Sequence, residues 1–259
     1  MKLPIYQIDA FAEKAFEGNP AAVCPLKEWL PDSVMQSIAE ENNLSETAFF
    51  VKTQQGFDIR WFTPVAEVDL CGHATLASAY VIFNILEHKE EEIVFNSKSG
   101  ELKVSRDEEL LVMDFPSQEP VECEVPEAIK QAFNSQPIEC LKSDDYIVVF
   151  GSEDEVSSAK PDIQKLNMLD LRGVIITSTS DRFDFVSRFF APKYGISEDP
   201  VTGSAYTQLV PYWSAVLGRN KHHVKQLSKR GGELFCELAG NRVFIAGKAV
   251  QYMAGEIEI

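Results

Sequence analysis

The chain has 259 residues, and its 40 acidic and 24 basic side chains give it a net charge of −16. A hydrophobic fraction of 45% with a charged fraction of 25% is typical of a globular protein that can bury one large core or two ordinary ones. No basic field is available to neutralise a phosphate backbone or an anionic membrane, so nucleic acid and membranes are not expected partners.

The cysteines and the N-terminus indicate the compartment. Five cysteines without CxxC spacing favour neither a zinc ribbon nor a disulfide framework, so reduced thiols are expected. The first segment, MKLPIYQIDAFAEKAFEGNP, has acidic residues where a signal peptide would be apolar, and it is predicted to form a strand. No stretch approaches the roughly 18 apolar residues of a membrane span. The sequence predicts a soluble, cytoplasmic protein.

The first half alternates short β-type runs with two helices. Strands are predicted at Ile5–Phe11, Ala21–Pro25, Thr47–Lys52, Asp58–Phe62, Ile93–Ser97, Glu101–Ser105 and Leu110–Phe115. A helix is predicted over Pro31–Asn42, with proline in its first turn. The second helix, from Gly72 to about Leu86, is apolar on nearly all sides and should be buried all round. A sheet curled around this helix satisfies the pattern.

The polar, proline-punctuated stretch Pro116–Pro126 predicts a linker, which gives domains at 1–117 and 118–259. Strands in the second half are predicted at Tyr146–Phe150, Val174–Thr179, Phe183–Phe190, His222–Leu227, Leu234–Leu238, Arg242–Val250 and Gln251–Ile257. A surface helical stretch broken at Pro161 is predicted over Ser152–Leu169. The buried helix of the second half is predicted at Ser204–Leu217, and Pro211 should bend it.

One pattern occurs twice, about half a chain apart. RWFTP (Arg60–Pro64) leads through an acidic loop into CGHAT (Cys71–Thr75), and RFFAP (Arg188–Pro192) leads through another into TGSAY (Thr202–Tyr206). In each copy, a small-residue turn opens an apolar helix, whose free N–H groups suit a carboxylate or phosphate. Two similar domains that merely reuse a packing unit would also show the pattern. The titratable residues in both copies favour a shared anionic ligand.

Four side chains are candidates for the chemistry. Glu46, at the start of a strand beside an apolar run, suits a general base, although a solvated carboxylate is the alternative. His73, at the mouth of the first buried helix, suits a general acid or a ligand donor, with helix capping as its alternative. Asp199 and Ser204 flank the second turn, where either is also an ordinary cap.

Other chemistries have less support. There is no GxGxxG and no GxxxxGK[ST], so no nucleotide cofactor is expected. No metal site is expected either, because neighbouring His222 and His223 point to opposite faces of a predicted strand and HExxH is absent.

The sequence also contains a serine and a cysteine that could act as nucleophiles. A hydrolase built from Ser204, His73 and Asp199 is an alternative, but GxSxG is absent. Cys71 would be acidified at a helix start, but its spacing of two residues from His73 favours a buried structural thiol.

Five ordered segments, spread over nearly the whole chain, carry a family resemblance: DAFAEKAFEGNPAAV (Asp9–Val23), SETAF (Ser45–Phe49), RWFTPVAEVDLCGHATLASA (Arg60–Ala79), RFFAPKYGISEDPVTGSAY (Arg188–Tyr206) and RGG (Arg230–Gly232). In these segments the chain resembles the phenazine-biosynthesis PhzF-like family. This resemblance implies the diaminopimelate-epimerase-like α+β fold, in which two pseudo-symmetric domains each wrap a β-barrel-like sheet around a central helix. The active site is then expected in the cleft between them.

The resemblance also implies roles. The family's general acid/base glutamate falls on Glu46, with His73, Asp199 and Ser204 as its polar supports. The substrate carboxylate is expected on the backbone N–H groups of Gly72, His73, Gly203 and Ser204. Related epimerases use two opposed cysteines, but this chain has Cys71 at the first place and Thr202 at the second, so a two-thiol epimerisation is not expected.

Two residues depart from the family pattern. Tyr206 stands where histidine is common, and Leu227 where glycine is often found. Both are expected to line the second-domain side of the pocket. They therefore bear on the identity of the substrate and do not affect the expected fold.

The sequence therefore predicts an isomerase that shifts a proton within a small carboxylate-bearing metabolite, without metal or organic cofactor. Glu46 would abstract the proton, and Glu46, His73, Asp199 and Ser204 should converge in one interdomain cleft. A non-catalytic or hydrolytic carboxylate binder on the same scaffold is the alternative. Homodimers are common among relatives, which makes one an expectation here.

Overall fold

The computed structural model describes all 259 residues and divides into two compact units. The first comprises Met1–Asp114 with Ala246–Ile259, and the second comprises Phe115–Ile245. The predicted boundary near residue 117 is close to the observed one, but the predicted second domain, 118–259, differs at its end. Since the last strand, Ala249–Glu258, pairs with the first strand, Lys2–Ala10, the C-terminal segment belongs to the first unit.

The first unit packs a mixed sheet against one buried helix. Its first ten elements are β1 (Lys2–Ala10), β2 (Asn19–Leu26), α1 (Asp32–Asn42), β3 (Glu46–Lys52), β4 (Phe57–Phe62), β5 (Glu67–Val68), α2 (Gly72–Tyr80), β6 (Glu92–Ser97), β7 (Gly100–Asp107) and β8 (Leu110–Pro116). Helix α2 continues into a π-helical turn, Val81–Ile85, and contacts β1, β2 and β3. Every side chain from His73 to Ala79 is buried, as predicted, but Asn84 and Leu86, at the end of the predicted helix, are exposed.

The rest of the chain has the same alternation of strands and helices. Its elements are β9 (Val121–Glu122), α3 (Glu127–Ala132), β10 (Glu139–Lys142), β11 (Tyr146–Val149), α4 (Glu153–Ser158), α5 (Ile163–Leu166), β12 (Val174–Thr179), β13 (Phe185–Ala191), β14 (Ile196–Asp199), α6 (Gly203–Leu217), β15 (Lys221–Gln226), β16 (Gly232–Ala239), β17 (Arg242–Gly247) and β18 (Ala249–Glu258). Pro211 lies inside α6, which runs on past it. No helix is sufficiently long and apolar to cross a bilayer.

The strand pairing repeats between the units. In the first, β2 is parallel to β3, β3 is antiparallel to β4, and β4 is parallel to β6. In the second, β11 is parallel to β12, β12 is antiparallel to β13, and β13 is parallel to β15. The central helix follows a short antiparallel partner of β4 in one unit and of β13 in the other. The repeated sequence pattern is therefore a repeated structure.

Each copy of the pattern carries an arginine that holds the acidic loop before the helix. Arg60 in β4 donates through Nε and Nη2 to both oxygens of Glu67, at 2.7 and 2.9 Å. Arg188 in β13 donates in the same way to both oxygens of Glu198, at 2.6 and 3.0 Å. Such two-point pairs fix direction as well as distance, so each loop delivers the chain to the helix start at a defined place.

Tyr206 does not have the expected place on the pocket side. Its side chain is wholly buried in the second unit, 6.3 Å from the ring of Phe185, and its hydroxyl lies 3.1 Å from Ser187 Oγ. Leu227 packs against the core of the same unit, and its N–H donates to the carbonyl of Ser187 at 2.7 Å. Because burial raises the pKa of Tyr206, the phenol stays neutral. These two departures therefore affect packing, with Tyr206 as a core residue.

Candidate active site

The first unit brings Glu46 and His73 together. Glu46 is the first residue of β3 and His73 is the second residue of α2, and these elements are in contact. Glu46 Oε2 lies 3.2 Å from His73 Nε2, and the two side chains are only 12% and 7% exposed. The carboxylate is therefore largely removed from water and faces a single imidazole nitrogen.

The other imidazole nitrogen decides which proton His73 carries. The side-chain amide of Asn19, at the start of β2, places Nδ2 3.3 Å from His73 Nδ1, and Cys71 Sγ lies 3.6 Å from the same atom. When Nδ1 accepts from the Asn19 amide, Nε2 carries the proton, on the side of the ring where Glu46 Oε2 lies, although these two atoms do not form a hydrogen bond. Burial lowers the pKa of His73 to about 3, so the ring is neutral at pH 7.

The same cluster has the composition of a metal site but not the geometry of one. Oxygen, sulfur and nitrogen atoms of Glu46, Cys71 and His73 lie within 4.8 Å of one another. However, Cys71 approaches Nδ1 of the ring and Glu46 approaches Nε2, and these two nitrogens point in divergent directions. One ion cannot take His73 together with both neighbours in this arrangement. The arrangement favours a close carboxylate–imidazole pair.

The burial of the His73 imidazole predicts how its protonation and the stability of the protein depend on pH. Since the pKa of His73 falls from its ordinary value near 6.5 to about 3 in the folded protein, the unfolded chain takes up the proton first. The contribution of this group to stability is therefore present above pH 6.5 and is lost as the pH falls towards 3. Imidazole NMR shifts, assigned with a His73→Asn variant, should report a neutral ring down to about pH 4. A midpoint near 6.5 would contradict this assignment.

Neither central helix has a side-chain cap. Cys71 precedes α2 and Thr202 precedes α6, both in extended conformation and neither with a capping hydrogen bond from its side chain. His73 and Ser204 are the second residues of their helices, so neither occupies the N-cap position. The amides of a first helical turn have no acceptors within the helix, so both starts present N–H groups.

In the second unit, Asp199 and the start of α6 are held by one glutamine. Thr202 Oγ1 donates to Asp199 Oδ2 at 2.5 Å. The wholly buried Gln226 accepts from the N–H of Thr202 at 2.9 Å and donates to the carbonyl of Asp199 at 2.8 Å. Thr202 occupies the place that Cys71 has in the first unit, directly before the helix glycine. The second place therefore offers a hydroxyl bonded to a carboxylate.

Ser204 is the second residue of α6 and belongs to a charged network. Arg172 Nη1 donates to Ser204 Oγ at 3.1 Å, and Arg172 Nε donates to Asp145 Oδ1 at 2.9 Å. Asp145 is fully buried and also accepts from Gln208 Nε2 at 2.7 Å. A hydroxyl at the helix start thus has a cation as its immediate neighbour.

The structure gathers the predicted residues in two groups and adds four that the sequence did not indicate. Each group lies in its own unit, with Glu46, Gly72 and His73 in the first and Asp199, Gly203 and Ser204 in the second. The missed residues, which hold these side chains, are Asn19, Asp145, Arg172 and Gln226. Only Gln226 could have been found from the sequence. It is the last residue on the buried face of β15, where alternate residues are buried, and a polar side chain on that face is unusual.

Comparison with known proteins matches this arrangement to one family. The family model described as phenazine biosynthesis-like protein matches residues 8–255. A protein of Pseudomonas aeruginosa named an uncharacterized isomerase is 49% identical over 259 residues, and both chains are covered completely. The crystal structure of a PhzF-family phenazine biosynthesis protein from Enterococcus faecalis matches with a TM-score of 0.98 at 47% identity, again over both whole chains.

A more distant match concerns the fold alone. A hydroxyproline epimerase from Agrobacterium vitis has a TM-score of 0.60 at 8% identity, over 99% of this chain and 92% of that one. The expected epimerase-like fold class is thereby confirmed. The chain belongs to the phenazine biosynthesis-like, or PhzF, family.

Proposed function

We propose that this protein is an isomerase that shifts a proton within a small carboxylate-bearing substrate, without metal or organic cofactor. The observation that carries the proposal is the Glu46–His73 pair, in which a mostly buried carboxylate faces a neutral imidazole at 3.2 Å. A carboxylate with little water around it, held in one orientation, suits a general base. The isomerase name of the Pseudomonas aeruginosa relative supports the same reaction class.

Glu46 takes part in both halves of the proposed reaction. Its carboxylate removes a proton from a carbon next to an activating group, so that a C–H bond breaks and an O–H bond forms. The electron pair remains in the substrate as a delocalised anion. The protonated Glu46 then returns the proton to another carbon, and the double bond moves. His73 stays neutral beside Glu46, with Nε2 3.2 Å from Oε2, and takes no proton itself.

The helix starts supply the binding half of the proposal. The N–H groups of Gly72 and His73 in one unit, and of Gly203 and Ser204 in the other, are proposed to hold the substrate carboxylate at the positive ends of α2 and α6. The proposal requires that both groups reach the same substrate molecule. With a net charge of −16 on the chain, such an anion needs these local donors and not long-range attraction.

The hydrolytic alternative is poorly supported at Ser204. A nucleophilic serine needs a base that accepts its proton, and the neighbour of Ser204 Oγ is the Arg172 guanidinium, which donates and cannot accept. Labelling of Ser204 by a fluorophosphonate probe would nevertheless establish a hydrolase and overturn the isomerase proposal.

A carboxylate screen followed by solvent labelling tests the proposal. Small mono- and dicarboxylates that enter the site should raise the melting temperature, because a ligand at a hundred times its dissociation constant adds about 2.7 kcal/mol. Each stabilising compound is then incubated with the protein in heavy water and followed by NMR. An isomerase substrate should gain deuterium on carbon and rearrange. Tight binding of every stabilising compound with neither result would instead support a non-catalytic binder.

A further inference from the structure

The duplicated fold makes one position in each unit directly comparable. In the first unit, Thr47 pairs with Phe62, the third residue of RWF, and Glu46 precedes it. In the second, Val174 pairs with Phe190, the third residue of RFF. The residue that corresponds to Glu46 is therefore Gly173.

Gly173 cannot carry the side chain that its counterpart carries. A Cβ at this position would lie 2.7 Å from the carbonyl oxygen of Phe190 and 2.8 Å from Cζ of Phe189. Its neighbour Arg172 supplies the side chain instead, and it reaches Ser204, which corresponds to His73 as the second residue of the central helix. Each unit thus joins a charged side chain at a strand start to a polar side chain at a helix start, with the Glu46 carboxylate in one unit and the Arg172 guanidinium in the other.

The Arg172 guanidinium is fixed on three sides. Nε and Nη2 donate to the two oxygens of the fully buried Asp145, at 2.9 and 2.5 Å. The guanidinium carbon lies 5.4 Å from the ring centroid of Phe189. The bond to Ser204 uses the third nitrogen, so the direction of this donor is set by the other two contacts.

We propose that Arg172 is a positioning residue that makes the Ser204 hydroxyl a hydrogen-bond donor to the negative charge formed on a substrate oxygen. A guanidinium has no acceptor, so it uses a lone pair of Ser204 Oγ and leaves the hydroxyl proton for another partner. Arg172 is one-third exposed and Ser204 partly exposed, so a ligand can reach that proton. The role toward substrate rests on the proposed proton shift, and it favours substrates whose charge develops on a carboxylate or carbonyl oxygen.

A purely structural role for Arg172 makes a different prediction. In that case the pair with Asp145 ties the segment before β11 to the segment before β12, and the Ser204 contact is incidental. The chemistry at Ser204 would then not depend on the arginine. The two cases separate by measuring acidity at this position, which needs no substrate.

The test replaces Ser204 with cysteine and measures the pKa of the introduced thiol. The pH dependence of alkylation by iodoacetamide, read by mass spectrometry on the peptide that contains position 204, gives the pKa apart from the native cysteines. A donor at 3.1 Å and a helix start should hold the pKa of the thiol well below the ordinary 8.5, at about 7 or less. Adding Arg172→Gln should raise it by about one unit or more, and Arg172→Lys should raise it less.

A charge-matched control excludes a general electrostatic effect. Arg182 lies in the same unit with its side chain 73% exposed, and Arg182→Gln in the Ser204→Cys background should leave the thiol pKa unchanged. The proposal is overturned if Arg172→Gln does not change the pKa of the thiol. Should that variant fail to fold, the Ser204→Cys protein alone decides, because a pKa near 8.5 contradicts the proposal. None of these results depends on Glu46, so failure here leaves the proton-shift proposal standing.

Discussion

Replacing Glu46 with glutamine is expected to leave ligand binding intact and to slow turnover by roughly 10² to 10⁴. Glutamine keeps the size of the side chain and can place its amide oxygen where the carboxylate oxygen lies, 3.2 Å from His73 Nε2. It cannot accept a proton from carbon. Binding and chemistry should therefore separate, with kcat reduced and the thermal shift by a bound carboxylate retained.

The same variant, assayed in heavy water, tests whether Glu46 is the base. During conversion the wild type should place deuterium at the reprotonated carbon to the extent that protonated Glu46 exchanges with solvent before it returns the proton. Glu46→Gln should leave the substrate unlabelled and unconverted. A substitution of Glu41, an exposed residue of α1, by glutamine is the matched control and should behave as the wild type. Should Glu46→Gln turn over at the wild-type rate, the base is a different group, and Asp199 or His73 becomes the next candidate.

Local patterns predicted most of the secondary structure. Val174–Thr179 was predicted with its observed bounds, and the two central helices began within one residue of their observed starts. These segments are decided by short-range chemistry, which a single sequence displays: β-branched runs, helix periodicity and small residues at a helix start. The repeat supplied the rest, because two copies of one pattern imply two copies of one structural unit.

The sequence did not indicate features that depend on distant pairing. Nothing in Ala249–Glu258 states that it will pair with β1 and not with a strand near it in the chain. The same applies to Arg172, whose role depends on Asp145 and Ser204, both far away in sequence. A polar residue that orients another residue has no local signature, since its partner is chosen by the fold. The sequence therefore indicated candidate residues at the motifs, and did not indicate the residues that hold them.

Because the two units carry corresponding arginines, the stability of two matched variants can be compared. We expect Arg188→Ala to lower the free energy of unfolding more than Arg60→Ala does. Arg188 has a side chain only 11% exposed, and its Nη1 donates to the carbonyls of Val156 and Ala159 at 3.0 and 2.7 Å, where α4 ends. Its removal takes the guanidinium from Glu198 and from the Ala159 carbonyl, and leaves the Val156 carbonyl with the N–H of Ala159 alone. Removing one partner of a buried ion pair costs about 3–5 kcal/mol.

Arg60 occupies the corresponding place in the first unit, and its removal should lower the free energy of unfolding by less. Beside Glu67, its other acidic partner is Asp32, whose side chain is 76% exposed and can bond water instead. Glu67, which is 17% exposed, also keeps Lys98 Nζ at 2.5 Å as a second cation, so Arg60→Ala should cost only about 2 kcal/mol. At roughly 2–4 °C per kcal/mol for chains of this size, thermal unfolding should separate the two variants clearly. Equal losses would show that the carbonyl contacts of Arg188 contribute nothing, and that the two arginines stabilise their units only through the glutamate that each one holds.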